Sequence, residues 1–340
     1  MGLNKRLLGG ISSGPADTAF FNILLYTGDR TTNAPKTGVG FPPDLVWIKG
    51  RDQTDFWSAL DSTRGAQVMS IDNTDSESAF SDWTFDSDGF TVGSSGQANN
   101  NGTSYVSYHW RANGGTTSAN TNGSTNSVVQ TSPLSGFSIV SYTGTGSNAT
   151  IGHGLSTAPD WMVIKNRDRN GYGWLVYHSA IGAEKYLVLN TGAAQTDQAS
   201  IFNDTAPTSS VFSVGSDTFG NYNGDEYIAY CWHSVSNFSK FGSYTGNGST
   251  TGPSVNIGFQ PDFLLIKRAE VGDSWRIFDS ARDTSNTRVK YIDADSTAAE
   301  ATSQFNTVDF LSNGFQPRCI GSTLNNNGGT YLYHAFKTTH

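Results

Sequence analysis

Cysteine is almost missing from this chain, with only Cys231 and Cys319 among 340 residues. Two thiols far apart in sequence exclude a disulfide framework, and free thiols kept in a reducing compartment are the expectation. Charge is scarce as well, at 15% of residues, and its balance is acidic, with a formal net charge of −8. A surface without clustered Lys and Arg is a poor match for a phosphate backbone, so no nucleic-acid partner is expected. Long apolar runs are absent too, so nothing in the sequence reads as a membrane-spanning helix. The opening Met1–Gly10 carries Lys5 and Arg6 and then only Leu7-Leu8, too short an apolar stretch for a signal peptide. Arg6 stands where a myristoylation motif needs Ser or Thr. The expectation is a soluble protein that neither inserts in a membrane nor leaves the cell by a standard leader.

Catalytic signatures are missing in the same way. There is no Gly-x-Ser-x-Gly elbow, no phosphate loop and no Cys/His nucleophile pattern. Asp160, Glu184, Asp225 and Glu226 offer carboxylates for glycoside cleavage, but nothing marks two of them as a pair. The six histidines show no paired ligand spacing. Asp72-Asn73-Thr74-Asp75 and Asp86-Ser87-Asp88-Gly89 are rich in oxygen, yet neither has the closing glutamate of an EF-hand loop, and both read as solvated turns. No catalytic residue, metal or cofactor is therefore expected, and the protein reads as a non-enzyme.

What the chain does contain is repetition. Tyr-Thr-Gly occurs at Tyr26, Tyr142 and Tyr244, and seventeen residues after each tyrosine a Pro-Asp pair begins, at Pro43, Pro159 and Pro261. Each pair leads into an apolar run closed by Ile-Lys: Leu45–Lys49, Trp161–Lys165 and Phe263–Lys267. Trp57, Trp174 and Trp275 follow at matching offsets, before Asp61-Ser62, His178-Ser179 and Asp279-Ser280. Each copy ends in an Asn-Gly turn (Asn101, Asn223, Asn327) and a strand that starts at Tyr105, Tyr227 or Tyr331. A recurring register of this kind means one module written three times.

The module reads as all-β. Its composition is rich in Gly, Ser, Thr and Asn, with 20 Phe, 14 Tyr and 8 Trp supplying the apolar bulk, which suits many short strands joined by turns. Four consecutive apolar residues before each Ile-Lys lysine predict a central strand buried on both faces. The terminal strand alternates, with Val106-Tyr108-Trp110, Ile228-Tyr230-Trp232 and Leu332-His334-Phe336 on one face, and predicts a half-buried strand with that face inward. A turn or two of helix is expected at Ser296–Ala301. The predicted architecture is three tandem β-sandwich domains of jelly-roll or lectin-like kind. Their bounds are an N-terminal segment at 1–17, repeats at 18–111, 133–236 and 237–340, and a Gly/Ser/Thr/Asn linker at 112–132.

Aromatic residues are the natural place to look for a ligand. Trp47, Trp110, Trp161 and Trp232 occupy strand positions that stay bulky in every copy, which points to core packing. Trp57, Trp174 and Trp275 lie in a strand flanked by polar residues, and Trp83 has no counterpart. These four are candidate ligand-binding residues, open between core packing and stacking on a sugar ring. The three Pro-Asp aspartates are expected to accept backbone N–H groups where a strand begins.

Several of these phrases together resemble a repeat of tailed-bacteriophage virion proteins, marine and cyanobacterial phages among them. They are the Tyr-Thr-Gly opening, the Gly258–Lys267 strand, the Asp-Ser after the tryptophan strand, the Asp88–Ser94 run and the terminal Tyr-x-x-Tyr-x-Trp. The resemblance covers nearly the whole chain. It implies a virion tail-fibre or spike component, assembled in the host cytoplasm, that attaches to a host-surface glycan or receptor. The alternatives are a head decoration or tail-hub protein without receptor binding and, third, a polysaccharide depolymerase. It also implies contact with other virion proteins and self-association as a homotrimer. Leu3, Lys5, Arg6, Leu7 and Leu8 would anchor the chain to the particle. The third copy departs from the pattern, since Phe336 replaces the terminal tryptophan and Pro317-Arg318-Cys319 interrupts a strand, and it would form the distal tip or a cap.

Overall fold

A computed structural model describes residues 19–339 apart from Ser81 and Ser95. The expected anchor residues Leu3, Lys5, Arg6, Leu7 and Leu8, with the whole segment 1–17, lie outside the described residues. The chain is all-β, and every paired strand is antiparallel. In the first repeat the strand Phe21–Thr27 pairs with Ser104–Trp110, which pairs with Leu45–Gly50, and the sheet continues through Ser58–Asp61, Gln67–Met69 and Ser78–Ala79. A small sheet of Ala34–Thr37, Gly89–Val92 and Thr84–Asp86 covers one face. The third repeat has the same order, from Ser239–Thr245 and Thr330–Phe336 to Phe263–Arg268, with Val255–Asn256, Gly314–Pro317 and Val308–Leu311 as its small sheet. In the second repeat the small sheet is only Ala149–Gly152 and Val211–Val214.

The repeated phrases mark one structural knot. Tyr26 stacks on Tyr105, Tyr142 on Tyr227 and Tyr244 on Tyr331, with ring centroids 5.0, 5.1 and 5.0 Å apart. The first hydroxyl of each pair donates to a carbonyl in the short helix before the Asn-Gly turn: Ala98, Gly220 and Leu324. The glycine after Tyr-Thr is required by space. A Cβ on Gly28, Gly144 or Gly246 would lie 2.2, 2.2 or 2.3 Å from the carbonyl oxygen of Asn100, Tyr222 or Asn326. Buried Asn99, Asn221 and Asn325 complete the knot: the side-chain oxygen of each accepts the N–H of Asp29, Thr145 or Asn247. Their amide N–H groups donate to Gly93, Gly215 and Cys319 carbonyls.

Four expectations need correction. Residues 112–132 are no linker: Ser127–Ser132 pairs with Phe137–Thr143 over six positions, and Ser118–Asn120 adds a further strand. Gln130 within it is fully buried and donates to the hydroxyls of Ser62 and Thr63 in the first repeat. Polar composition suggested a tether, but the pairing of this tract fixes it as the edge of the second sheet. The terminal strand is buried on both faces, not one. Its inner residues Val106, Tyr108 and Trp110 join a core shared by all three repeats, while Tyr105 faces the repeat's own sandwich core. The alternation therefore separates two cores. Nor are the repeats independent domains, because that shared core unites Trp47 and Trp110 with Trp161 and Trp232 and with Phe263 and Phe336. Finally, Ser296–Ala301 forms no helix. Its backbone is engaged by the first repeat, with the Thr297 carbonyl accepting from Lys49 and from the Asp55 N–H.

Candidate functional site

The repeats close on each other as a ring, and the repeated lysines and tryptophans make the contacts. Lys49 donates to the Thr297 carbonyl of the third repeat at 2.9 Å, Lys165 to Thr74 of the first at 3.4 Å, and Lys267 to Gly192 of the second at 2.9 Å. The indole N–H groups follow the same circuit. Trp57 donates to the Asp293 carbonyl, Trp174 to Ser70 and Trp275 to Val188 and Thr191. All three tryptophans are fully buried, so the expectation of a sugar-stacking face on them is corrected. They are seam residues. Burial draws the Lys165 and Lys267 amines down to about 8.

Two of the three seams carry a buried ionic network. At the first–second seam Asp61 pairs with Arg64 and accepts the Tyr230 hydroxyl at 2.7 Å. Glu77 bridges Arg64, at 3.5 Å, to Arg167 of the second repeat, at 2.8 Å. The third–first seam repeats this with Asp279, Arg282 and Tyr108, and with Glu300 between Arg282 and Arg51. Burial lifts the Tyr108 and Tyr230 hydroxyls well above their ordinary range, so both stay neutral donors. At the second–third seam every one of these groups is replaced. His178 stands for the aspartate, Ile181 for the arginine, His334 for the tyrosine, Gln195 for the glutamate and Ala269 for the partner arginine. Of this five-position arrangement the backbone bond persists, from the Gln195 N–H to the Ala269 carbonyl at 2.7 Å, matching Glu77 to Arg167 and Glu300 to Arg51.

The Pro-Asp aspartates act as the sequence suggests. Asp44 accepts the N–H groups of Ala112, Gly114 and Gly115, Asp160 that of Ser234, and Asp262 that of Thr338. Each also accepts the hydroxyl of the Ser in the Asp-Ser or His-Ser pair (Ser62, Ser179, Ser280). These carboxylates are structural. Among the described residues no group of three or more His, Cys, Asp or Glu could hold a metal ion.

The copies also differ around Trp83. This residue is 5% exposed and packs against Phe90, so it too offers no open face. It does line a cleft of about 410 Å³ together with Pro42, Ala66, Phe85 and Asp86. One wall is the outer edge of Thr84–Asp86, which ends the small sheet. In the third repeat the pairing of Phe310 with Phe315 matches that of Phe85 with Phe90. There the same edge is covered. The connection from Arg282 to Lys290 holds seven residues where Arg64 to Gln67 holds only Gly65 and Ala66. Within it Asn286 clamps Phe310, donating to its carbonyl at 2.8 Å and accepting its N–H at 2.9 Å. Arg288 bridges to Val308 in antiparallel fashion and lays its guanidinium 4.1 Å over the Phe310 ring. The sequence signal was the length of this connection, visible once Arg64 and Arg282 are aligned.

Residues 16–339 match the profile of a family described as a domain of unknown function, DUF7483. The chain belongs to this family. Its profile spans all three repeats as a single unit, in keeping with their common core. No curated protein and no solved structure matches the chain. Among the described residues, no helix is long and apolar enough to cross a membrane.

Proposed function

We propose that this protein is a non-enzymatic structural component of a tailed-phage virion, a tail-fibre or spike part that attaches to a host-surface glycan or receptor. The observation that carries the reading is where the repeated polar and aromatic groups go. Lysines, tryptophans and the Asp–Arg–Tyr networks hold the three repeats in one ring, while the Pro-Asp aspartates tie strand ends within each repeat. A frame of that kind suits a particle surface, and attachment then belongs to loops in which the copies differ. The sequence resemblance to virion repeats supports the same assignment.

Adsorption of the purified chain to host cells, with its location on the particle imaged, tests the proposal. Binding that saturates and competes with phage supports it. No adsorption to any host, with the chain located in the head or tail hub, favours the structural alternative. Release of new reducing ends from host envelope would replace both with depolymerase activity. The ring unites three repeats within one chain, so native mass reads separately whether it also forms the homotrimer expected of a fibre.

A further inference from the structure

The cleft of the first repeat has a built-in template for its occupant. In the third repeat the corresponding strand edge is covered by the chain's own segment Asp283–Val289, which bends at Ser285–Thr287 and meets Val308–Leu311 through the Arg288 backbone and the Asn286 side chain. Gln260 adds a second amide to the Phe310 carbonyl at 3.1 Å. In the first repeat both devices are missing. Gly65-Ala66 is too short to reach the edge, and Pro42, which has no donor, stands where Gln260 stands. Among the described residues no side chain bonds to the backbone of Phe85. Phe310 is 1% exposed beneath Arg288, whereas Phe85 is only half-buried.

We propose that this cleft is a docking site for an extended peptide strand of a protein partner, which adds to the Thr84–Asp86 edge and lays a cationic side chain over Phe85. A free sheet edge is a template for strand addition, where main-chain bonds give affinity and side-chain pockets give specificity. The charges fit a basic segment. The charged residues lining the cleft are Asp44 and Asp86, with no Lys or Arg beside them. Asp44 accepts three backbone N–H groups, whereas Asp86 at the rim accepts only the hydroxyls of Thr84 and Thr91, one on each oxygen, and keeps its charge and further lone pairs for a cation. The guanidinium over Phe310 shows the geometry such a contact takes on this fold.

The test uses the full chain and a synthetic peptide with the sequence of Asp283–Val289 as probe, read by hydrogen exchange. Up to millimolar peptide should protect the amides of Trp83–Ser87, and a peptide carrying Arg288→Glu should bind about tenfold more weakly. Ala66→Trp, at an exposed position of the cleft wall, should abolish protection while leaving the melting temperature unchanged. Lack of protection by the peptide overturns the proposal. So does protection of the same amides by a neutral oligosaccharide instead, which would make the cleft a sugar site. Faster exchange at Trp83–Ser87 after deletion of residues 1–18 overturns the external partner in favour of the chain's own segment. Concentration-dependent protection of these amides without peptide would replace that partner with a second copy.

Discussion

His178 and His334 face each other across the second–third seam, ring centroids 5.0 Å apart and planes at 87°, both fully buried. Their counterparts at the other seams are aspartate and tyrosine joined through a short hydrogen bond. The titratable groups around the pair are the two rings and Asp160; Trp161, Trp275 and Phe241 provide the aromatic wall.

This seam should be the acid-sensitive one. Burial pulls His178 down to about 4, partly opposed by Asp160, and burial with His178 beside it holds His334 well below its ordinary value. Both folded values lie below the unfolded value of 6.5, so the unfolded chain takes up protons first. The resulting stability is complete above pH 6.5 and is lost as pH falls toward 4. For His178 alone the loss is about 2 kcal/mol by pH 5. His109, pulled to about 3 by burial in the first repeat, contributes with the same sign elsewhere. The reading must therefore be local. Hydrogen exchange should show the Gln195 and Asp273 amides losing protection between pH 7 and 4.5 while those of Glu77 and Glu300 stay protected. Equal loss at all three seams would refute the assignment.

Asp72 and Asp295 carry the opposite pH dependence. Each accepts the N–H of a seam tryptophan, Trp57 or Trp275, and burial raises both carboxyls to about 6. A raised folded value means stability present in acid and lost as pH climbs through 6. The second repeat does the same work without charge, because Asn190 accepts the Trp174 N–H at 2.8 Å. Asp72→Asn should thus stabilise the protein at pH 8 by about 1–2 kcal/mol and leave it unchanged at pH 4. Urea denaturation at the two pH values measures the difference.

Trp174 separates seam from surface. Trp174→Phe keeps most of the buried area but removes the N–H bond to the Ser70 carbonyl, 2.8 Å long. The expected loss is about 1–2 kcal/mol, and about 3–5 kcal/mol for Trp174→Ala. Thermal unfolding should show both losses, with host adsorption of the folded Phe variant unaltered. A variant of native stability that no longer adsorbs would return Trp174 to the role of a ligand contact.

The stretch around Trp174, just before the strand Leu175–His178, shows how far the sequence could be read. Repetition revealed the strands, the Asn-Gly turns and the role of the Pro-Asp carboxylates, because those are local and recur in register. It did not reveal the ring, since a face that packs on another repeat has the same alternation as one that packs on its own sheet. Polar flanks made Trp57, Trp174 and Trp275 look accessible, yet each lies against the preceding repeat of the ring. Asn99, Asn221 and Asn325 were legible in principle, each two residues before an Asn-Gly turn. The cleft was hidden because it follows from a difference in length between two connections, and its meaning needed the third repeat's Asn286 and Arg288 in place.

Exchanging the character of a seam tests whether its five positions act together. Arg64→Ile alone copies one residue of the second–third seam and leaves Asp61 buried against the Tyr230 hydroxyl without its cation. Breaking a buried pair from one side costs about 3–5 kcal/mol. Replacing the set, as Asp61→His with Arg64→Ile and Tyr230→His, removes the stranded charge and rebuilds the His178–Ile181–His334 arrangement. Truncating Glu77→Gln and Arg167→Ala with it completes the match to Gln195 and Ala269. The full set should recover most of the single variant's loss at pH 8 and make the first seam acid-labile as well. Denaturation midpoints at pH 8 and pH 5 decide it: losses that simply add, with no gain in acid sensitivity, would show that the five positions are independent.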